Sequence, residues 1–350
     1  MSPRPNHVTV VVCTYNRAEL LRDTLRSMQS LRTDDRFSYD VLIVDNASTD
    51  DTQETIAEIV RTSKATVSAV YEAKPGVAAA RNRGLAEAQG EWIAFCDDDQ
   101  EADAAWLLQL LQMAEEQDIR IVGGAVKLAL PDGAPQPALA VRRNFGESIG
   151  TQPHRYSKRV SPGTGNLLIH RSVIEQVGAF DENLRQAGED TDLFRRIREA
   201  GIDAWYNPRA IVWHRIPAYR LTADYQRWSS QRTGWCFADR DCKESGTSKV
   251  LLIALARIAQ AVLIRIPRLI AHLAFGRRQE ALGVRCDLWR CEGYVRFTLD
   301  TLAPTFLGQF EFRERINFRN ERSAFDEGHS TLCVPENAQG ETSTAAVELH

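Results

Sequence analysis

The sequence predicts an α/β fold, with a mainly parallel central sheet covered by helices and a C-terminal helical extension. Three observations predict it. Short apolar runs alternate with helical patterns through the first third of the chain, as strand–helix–strand crossovers do. The run Trp92-Ile93-Ala94-Phe95-Cys96 ends in Asp97-Asp98-Asp99, placing carboxylates where open α/β sheets bind ligands. Beyond residue 216 the sequence becomes helical and aromatic-rich.

Taken in order, Val8 to Cys13 reads as a first strand, and Leu20, Leu21, Leu25, Met28 and Leu31 form a helical stripe. Val41 to Val44 is a second strand closed by Asp45. Asp50-Asp51-Thr52 opens a helix carrying Ile56, Ile59 and Val60. Thr66 to Tyr71 is a third strand and Ala78 to Ala88 a strong helix former. Trp92 to Cys96 is a fourth strand, and Trp106 to Met113 lies on a further helix. From Ile121 the pattern loosens. Pro131, Gly133, Pro135 and Pro137 mark a loop or hairpin, and the polar, basic stretch 142–160 reads as a loop. Strand character returns at Gly165 to Ile169. A helix runs from about Glu189 to Ala200 and stops at Gly201, and Ala210 to Trp213 is a closing strand. The expected organisation is a catalytic domain over 1–220, divided near 125, a helical extension over 221–325 and a polar, disordered tail over 326–350.

Composition narrows the function classes. A formal net charge of −4 gives no basic field for nucleic acid. The seven cysteines show no CxxC spacing, which suits a reducing cytoplasm better than a disulfide framework. Met1-Ser2-Pro3-Arg4-Pro5 lacks the apolar core of a signal peptide. No uncharged apolar run reaches about 18 residues, so no spanning helix is expected.

The Asp triplet carries the chemistry. Adjacent carboxylates raise one another's pKa, and a divalent cation is their natural partner. Hard oxygen ligands suit Mg²⁺ or Mn²⁺, held by one or two carboxylates together with substrate phosphates. Thr14 and Tyr15 end the first strand at the same crevice, where Tyr15 could stack on a base. Asp45, ending the neighbouring strand, could accept from a base N–H or a ribose hydroxyl, or form an Asx turn. Asp50 is explained by capping the next helix.

Six segments in order resemble family 2 glycosyltransferases of the GT-A fold. They are Val10 to Arg17, Val44 to Asp50, Gly76 to Gly84, Phe95 to Asp99, Gly178 to Glu182 and Gly188 to Leu193. The resemblance covers about residues 8–215. It implies a single-displacement, inverting sugar transfer from a nucleoside-diphosphate sugar, assisted by Mn²⁺ or Mg²⁺. It implies that Thr14, Tyr15, Asn16, Arg17, Asp45 and Arg81 serve the donor. In the triplet, Asp99 would ligate the metal, Asp97 would touch ribose or the metal through water, and Asp98 would bind ribose or be structural. Asp190 would be the general base, with Glu189 orienting it or the acceptor, and His214 would approach the metal or diphosphate. Helix N-capping alone would also account for an Asp at 190.

Some features depart from that pattern. Arg227-Trp228 is preceded by Asp224 where processive sugar polymerases carry Gln, so a single-addition enzyme is expected, with a glycan or lipid-linked acceptor. A sugar-nucleotide pyrophosphorylase would need an early Gly-rich, basic signature, which residues 1–20 lack. A non-catalytic sugar-binding scaffold is the other alternative. Residues 249–278 place Lys249, Arg257, Arg265, Arg268 and His272 near one helical face, with leucines and isoleucines elsewhere, and Pro267 should kink the helix. The segment reads either as a peripheral contact with the inner face of the plasma membrane or as a helix packed on the catalytic domain with its arginines in solvent.

Overall fold

The computed structural model describes residues 4–157, 160–184 and 188–302. The expected tail over 326–350 and the end of the extension lie outside the described residues. Nine strands form one sheet in the order β3-β2-β1-β4-β8-β6-β9-β5, with β7 paired to β9. The first half is parallel and built from three crossovers: β1 (Arg4–Thr14), α1 (Ala18–Met28), β2 (Ser38–Asp45), α2 (Thr52–Thr62), β3 (Val67–Tyr71), α3 (Val77–Glu87) and β4 (Gly90–Asp97). The second half is mixed. It comprises β5 (Gln100–Ala102), α4 (Trp106–Glu116), β6 (Ile121–Ala129), α5 (Leu139–Asn144), β7 (His154–Arg155), β8 (Asn166–His170), α6 (Arg171–Val177), α7 (Glu189–Glu199) and β9 (Trp205–Arg215). Strand β8 runs antiparallel to both β4 and β6, while β6 and β9 are parallel.

Alternation along β1 explains the two covered faces. Val8, Val10 and Val12 pack with Leu21, Leu25 and Trp106 on one side. Val11 packs with Leu42, Leu85 and Phe95 on the other, where Leu193, Phe194 and Ile197 of α7 also lie. The registers then fix the crevice. Thr14 pairs with Asp45, Cys13 with Asp97, and Gln100 with His214. Sequence order places those residues far apart; the ladders bring them to one edge. The described part of 142–160 is more than a plain loop. It holds the end of α5 and strand β7, and Ser148 N donates to Val126 O at 2.9 Å.

The extension comprises α8 (Ala223–Ser245), α9 (Thr247–Gln260), α10 (Ile266–Ala274) and α11 (Arg278–Leu302). Glycines let α8 and α11 cross closely: a Cβ at Gly293 would lie 1.9 Å from Gln231 O, and one at Gly234 would lie 1.9 Å from Arg290 O. Thr247–Ala274 is one continuous helix of 28 residues, long and apolar enough by length and composition to cross a membrane. The expectation of no such helix therefore needs correcting. Searching for uncharged runs missed it because Arg257 and Arg265 interrupt the sequence, while their side chains are accommodated by the neighbouring helix. The kink expected at Pro267 takes the form of a π-helical turn, Ala261–Arg265, which accommodates the missing N–H and the crowding ring.

The basic stripe is also corrected. Arg257 sits 4.3 Å over the Tyr294 ring, and Arg265 Nη1 donates to Asp287 O at 2.9 Å. These two arginines face α11 rather than solvent. The helix packs within the extension, on α8 and α11 through Val250, Ala254, Trp235 and Tyr294, rather than on the catalytic sheet.

Candidate active site

The site forms where β1, β2 and β4 end side by side. The three carboxylates of the triplet receive three different environments. Asp98 is buried: Thr14 Oγ1 donates to its Oδ2 at 2.8 Å and Arg17 Nη1 to its Oδ1 at 2.9 Å. Asp99 is also buried, and its Oδ2 accepts from Arg17 Nη1 at 2.7 Å and Arg220 Nη1 at 3.4 Å. His214 Nε2 lies 3.5 Å from the same oxygen. Burial pushes the Asp99 carboxyl up, but Arg17, His214 and Arg220 outweigh it and hold the group well below the ordinary carboxylate range. Arg17 loses solvation by burial, yet Asp98 and Asp99 raise its pKa further.

Asp97 differs. Its side chain is 47 % exposed, and its main cationic neighbour is Arg81, with Nη2 at 3.9 Å. Protein crowding, then Asp99 and Asp98, raise its carboxyl pKa against the opposing pull of Arg81. Its position depends on Gly165, where a Cβ would fall 2.3 Å from Asp97 Oδ2.

Arg81 joins the triplet to the start of α7. It is buried, donates through Nη1 to Glu189 Oε1 at 2.7 Å, and lies 5.5 Å over the Phe180 ring. Asn82, next on α3, exchanges two hydrogen bonds with the Phe180 backbone, each 2.9 Å, and donates to Glu182 at 2.8 Å. These contacts clamp α3 to the turn before α7. Gly188, at φ +102°, allows the chain to enter that helix. Asp190 stands partly exposed in its first turn, accepting from Thr191 N at 2.6 Å.

Asp45 Oδ1 accepts from Ser48 N, three residues on, at 3.0 Å, while Oδ2 is buried without a partner. An orphaned buried carboxylate oxygen is costly unless a ligand donor reaches it. Asn16, at φ +49°, exchanges hydrogen bonds with Thr49 and braces the adjoining loop. Tyr15 is half-buried at the same edge. Thus Thr14 and Arg17, expected at the nucleotide, are committed here to the triplet, and Asn16 to a loop.

Four positions escaped sequence reasoning. Phe145 O accepts from His214 Nδ1 at 2.9 Å, a pairing that fixes the ring with Nε2 toward Asp99. Arg220 Nη1 lies 3.3 Å from that Nε2. Gln100 Oε1 accepts from Asp97 N at 3.4 Å. Gly165 sits in Gly163-Thr164-Gly165, too short for a phosphate loop; its need is close approach to a side chain. No local pattern marks Arg220, Phe145 or Gln100.

Residues 9–178 match the family profile Glycosyl transferase family 2. These residues carry a glycosyl transferase family 2 sequence. Its similar relatives include the glycosyltransferase AglE of Haloferax volcanii, 29% identical over 59% of this chain and 66% of that protein. The succinoglycan biosynthesis protein ExoM of Rhizobium meliloti is 28% identical over 62% of this chain and 69% of its own length. The pre-mycofactocin glycosyltransferase of Mycobacterium tuberculosis is 30% identical over 60% of this chain, which spans 43% of that protein. Among solved structures, the mannosyltransferase PcManGT from Pyrobaculum calidifontis, in complex with GDP-Man and Mn²⁺, superposes with a TM-score of 0.56 at 20% identity. That match covers 87% of this chain and 88% of the other, and it shows the GT-A fold.

Proposed function

We propose that the protein transfers one sugar from a nucleoside-diphosphate sugar to an acceptor hydroxyl in a single inverting displacement, assisted by Mn²⁺ or Mg²⁺. The observation that carries this reading is Arg81, whose guanidinium lies between Asp97 and Glu189. It brings the carboxylates that end β4 within reach of the acid-bearing first turn of α7.

The donor set fits a cation completed by substrate phosphates. Among the described residues no group of three His, Cys, Asp or Glu side chains is arranged to hold a metal alone. Asp99 Oδ2 and His214 Nε2 lie 3.5 Å apart and both face Arg220 Nη1, so a metal ion reaching them would displace that guanidinium. Asp99, His214 and the half-exposed Asp97 would hold it, together with diphosphate oxygens. A bound ion would supply positive charge against that developing on the leaving nucleoside diphosphate.

The remaining steps belong to the chain. The orphaned Asp45 Oδ2 accepts from the base or ribose of the donor. Arg81 presents its fork to the crevice beside Asp97. Asp190 takes the proton from the acceptor hydroxyl as that oxygen bonds to the anomeric carbon. The bond from that carbon to the diphosphate oxygen breaks, and its electron pair leaves with the nucleoside diphosphate. Glu189, fixed by Arg81, holds the first turn of α7 in place.

The acceptor we propose is a glycan or lipid-linked glycan in polysaccharide, lipopolysaccharide or other glycoconjugate synthesis, on the cytoplasmic side of a membrane. Free thiols at all six described cysteines support a reducing compartment. Donor hydrolysis with added Mn²⁺ tests the reading. Asp190→Asn should keep nucleotide binding and lower turnover by roughly 10²–10⁴-fold, the range for losing a general base. Near-normal turnover, or a product that retains the donor's anomeric configuration, would overturn it.

A further inference from the structure

Helix Thr247–Ala274 has two faces with different commitments. On one, Val250, Ala254, Arg257 and Arg265 recur at helical spacing and are covered by α8 and α11. On the other, Leu252, Leu255, Leu263, Ile270 and Phe275 are 55% to 78% exposed. Isolated exposed leucines are ordinary, but a continuous apolar face along about 42 Å of helix marks an interaction surface. Charge adds a second, independent observation. Gly246 to Gln279 contains no Asp or Glu, and Lys249, Arg268, Arg277 and Arg278 are exposed around the apolar face.

We propose that this face seats in the interfacial layer of an anionic lipid bilayer, with the helix lying in the membrane plane. The leucines and Phe275 enter the acyl boundary while the exposed basic residues meet lipid phosphates. Arg257 and Arg265 act as internal struts, holding the helix to α11 so that its apolar side faces outward. A second copy of the chain fits less well: a two-fold contact would set Arg268, Arg277 and Arg278 against their own copies with no acid in the segment to answer them. A spanning helix also fits less well. Lipid on all sides would strip α11 from the covered stripe and leave two arginines in hydrocarbon. The surface connects to the catalytic crevice through α8, since the fully buried Gln226 donates to Arg220 O at 2.8 Å.

The test uses the full chain and vesicles of phosphatidylcholine with or without an equal amount of phosphatidylglycerol. Wild type should co-sediment with the anionic vesicles, and added salt should weaken binding. Leu255→Glu combined with Leu263→Glu should reduce that binding at least about 100-fold, because two inserted apolar side chains are lost. Arg268→Glu, Arg277→Glu and Arg278→Glu together should abolish the preference for anionic lipid. Donor hydrolysis in solution should be unchanged in both variants, which separates failure of this surface from failure of the catalytic reading. Wild type that ignores vesicles, or leucine variants that bind equally well, overturns the proposal. So does a wild-type dimer that the leucine variants convert to monomer without any lipid effect. Protein that resists alkaline extraction and becomes protease-accessible on both sides overturns it in favour of a span.

Discussion

Replacing Gly165 by alanine should damage catalysis while sparing the fold. The added Cβ would lie 2.3 Å from Asp97 Oδ2, 2.8 Å from its Cγ and 3.0 Å from Gln100 Nε2. Ordinary contacts begin near 3.5 Å, so the carboxylate must retreat by about 1 Å. The retreat is cheap in stability, because the atom that moves ends a half-exposed side chain and can rotate away. Gly165 does not occupy the left-handed region, so alanine also reduces unfolded-state freedom, worth about 0.4–1 kcal/mol. The melting temperature should hold or rise slightly. Catalysis has no such slack: misplacing a group by about 1 Å can cost about 10²-fold. Donor hydrolysis should therefore show kcat/KM falling about 10²-fold, with a higher Mn²⁺ requirement. Near wild-type kcat/KM at unchanged melting temperature would refute the claim that this glycine positions Asp97. A large loss of stability would assign it to packing instead.

Asp99→Asn should destabilise the protein by about 3–5 kcal/mol near neutral pH, because Arg17 and Arg220 lose a shared buried counter-charge. The folded pKa of Asp99 lies below its unfolded value. The network therefore contributes fully above the ordinary carboxylate pKa of about 3.9 and is lost as pH falls through the folded value. Melting temperatures of variant and wild type should converge in that acid range; a gap that stays constant with pH would count against the linkage. In the extension, Gly293→Ala drives a Cβ into the backbone of α8 at Gln231 O and should cost about 1–3 kcal/mol. Calorimetry checks that loss, and donor hydrolysis by the folded fraction should persist.

The catalytic sheet was legible because its signals are local. The short apolar runs Val8 to Cys13 and Trp92 to Cys96 read as strands, and Ala78 to Ala88 as a helix, from their own residues. Three of the six family 2 segments end β1, β2 and β4, and the others lie on α3, after α6 and at the start of α7. Partnerships were not legible. Arg17 looked like a nucleotide ligand because it follows Thr14-Tyr15-Asn16, yet its partners Asp98 and Asp99 arrive from β4, 81 and 82 positions later. The orientation of His214 depends on Phe145 O, which a stretch rich in polar and basic residues gave no reason to suspect. On Thr247–Ala274 the arginines were misread because a helical projection shows which residues share a face but not what covers it. Tyr294 and Asp287 decide that, and both lie on another helix.

The Asp triplet shows how backbone position alone divides identical residues. Asp98 and Asp99 share Arg17, and that buried cation is what permits two adjacent buried carboxylates at all. Asp98, held by Thr14 and Arg17, anchors the floor of the crevice. Asp97 stands on the other side, half-exposed, with Gly165 behind it and Arg81 at 3.9 Å. Arg81 is itself shared with Glu189 at 2.7 Å, so it cannot neutralise both. One negative charge at the mouth of the crevice therefore remains under-compensated, on a carboxyl whose pKa is raised by loss of solvation and then by Asp99 and Asp98, against the pull of Arg81. On the proposed reading, a cation arriving with the donor would meet that deficit directly. It would lower the cost of holding Asp97 ionised and release part of Arg81 toward the diphosphate, linking donor binding to the geometry of Glu189 and Asp190 on α7.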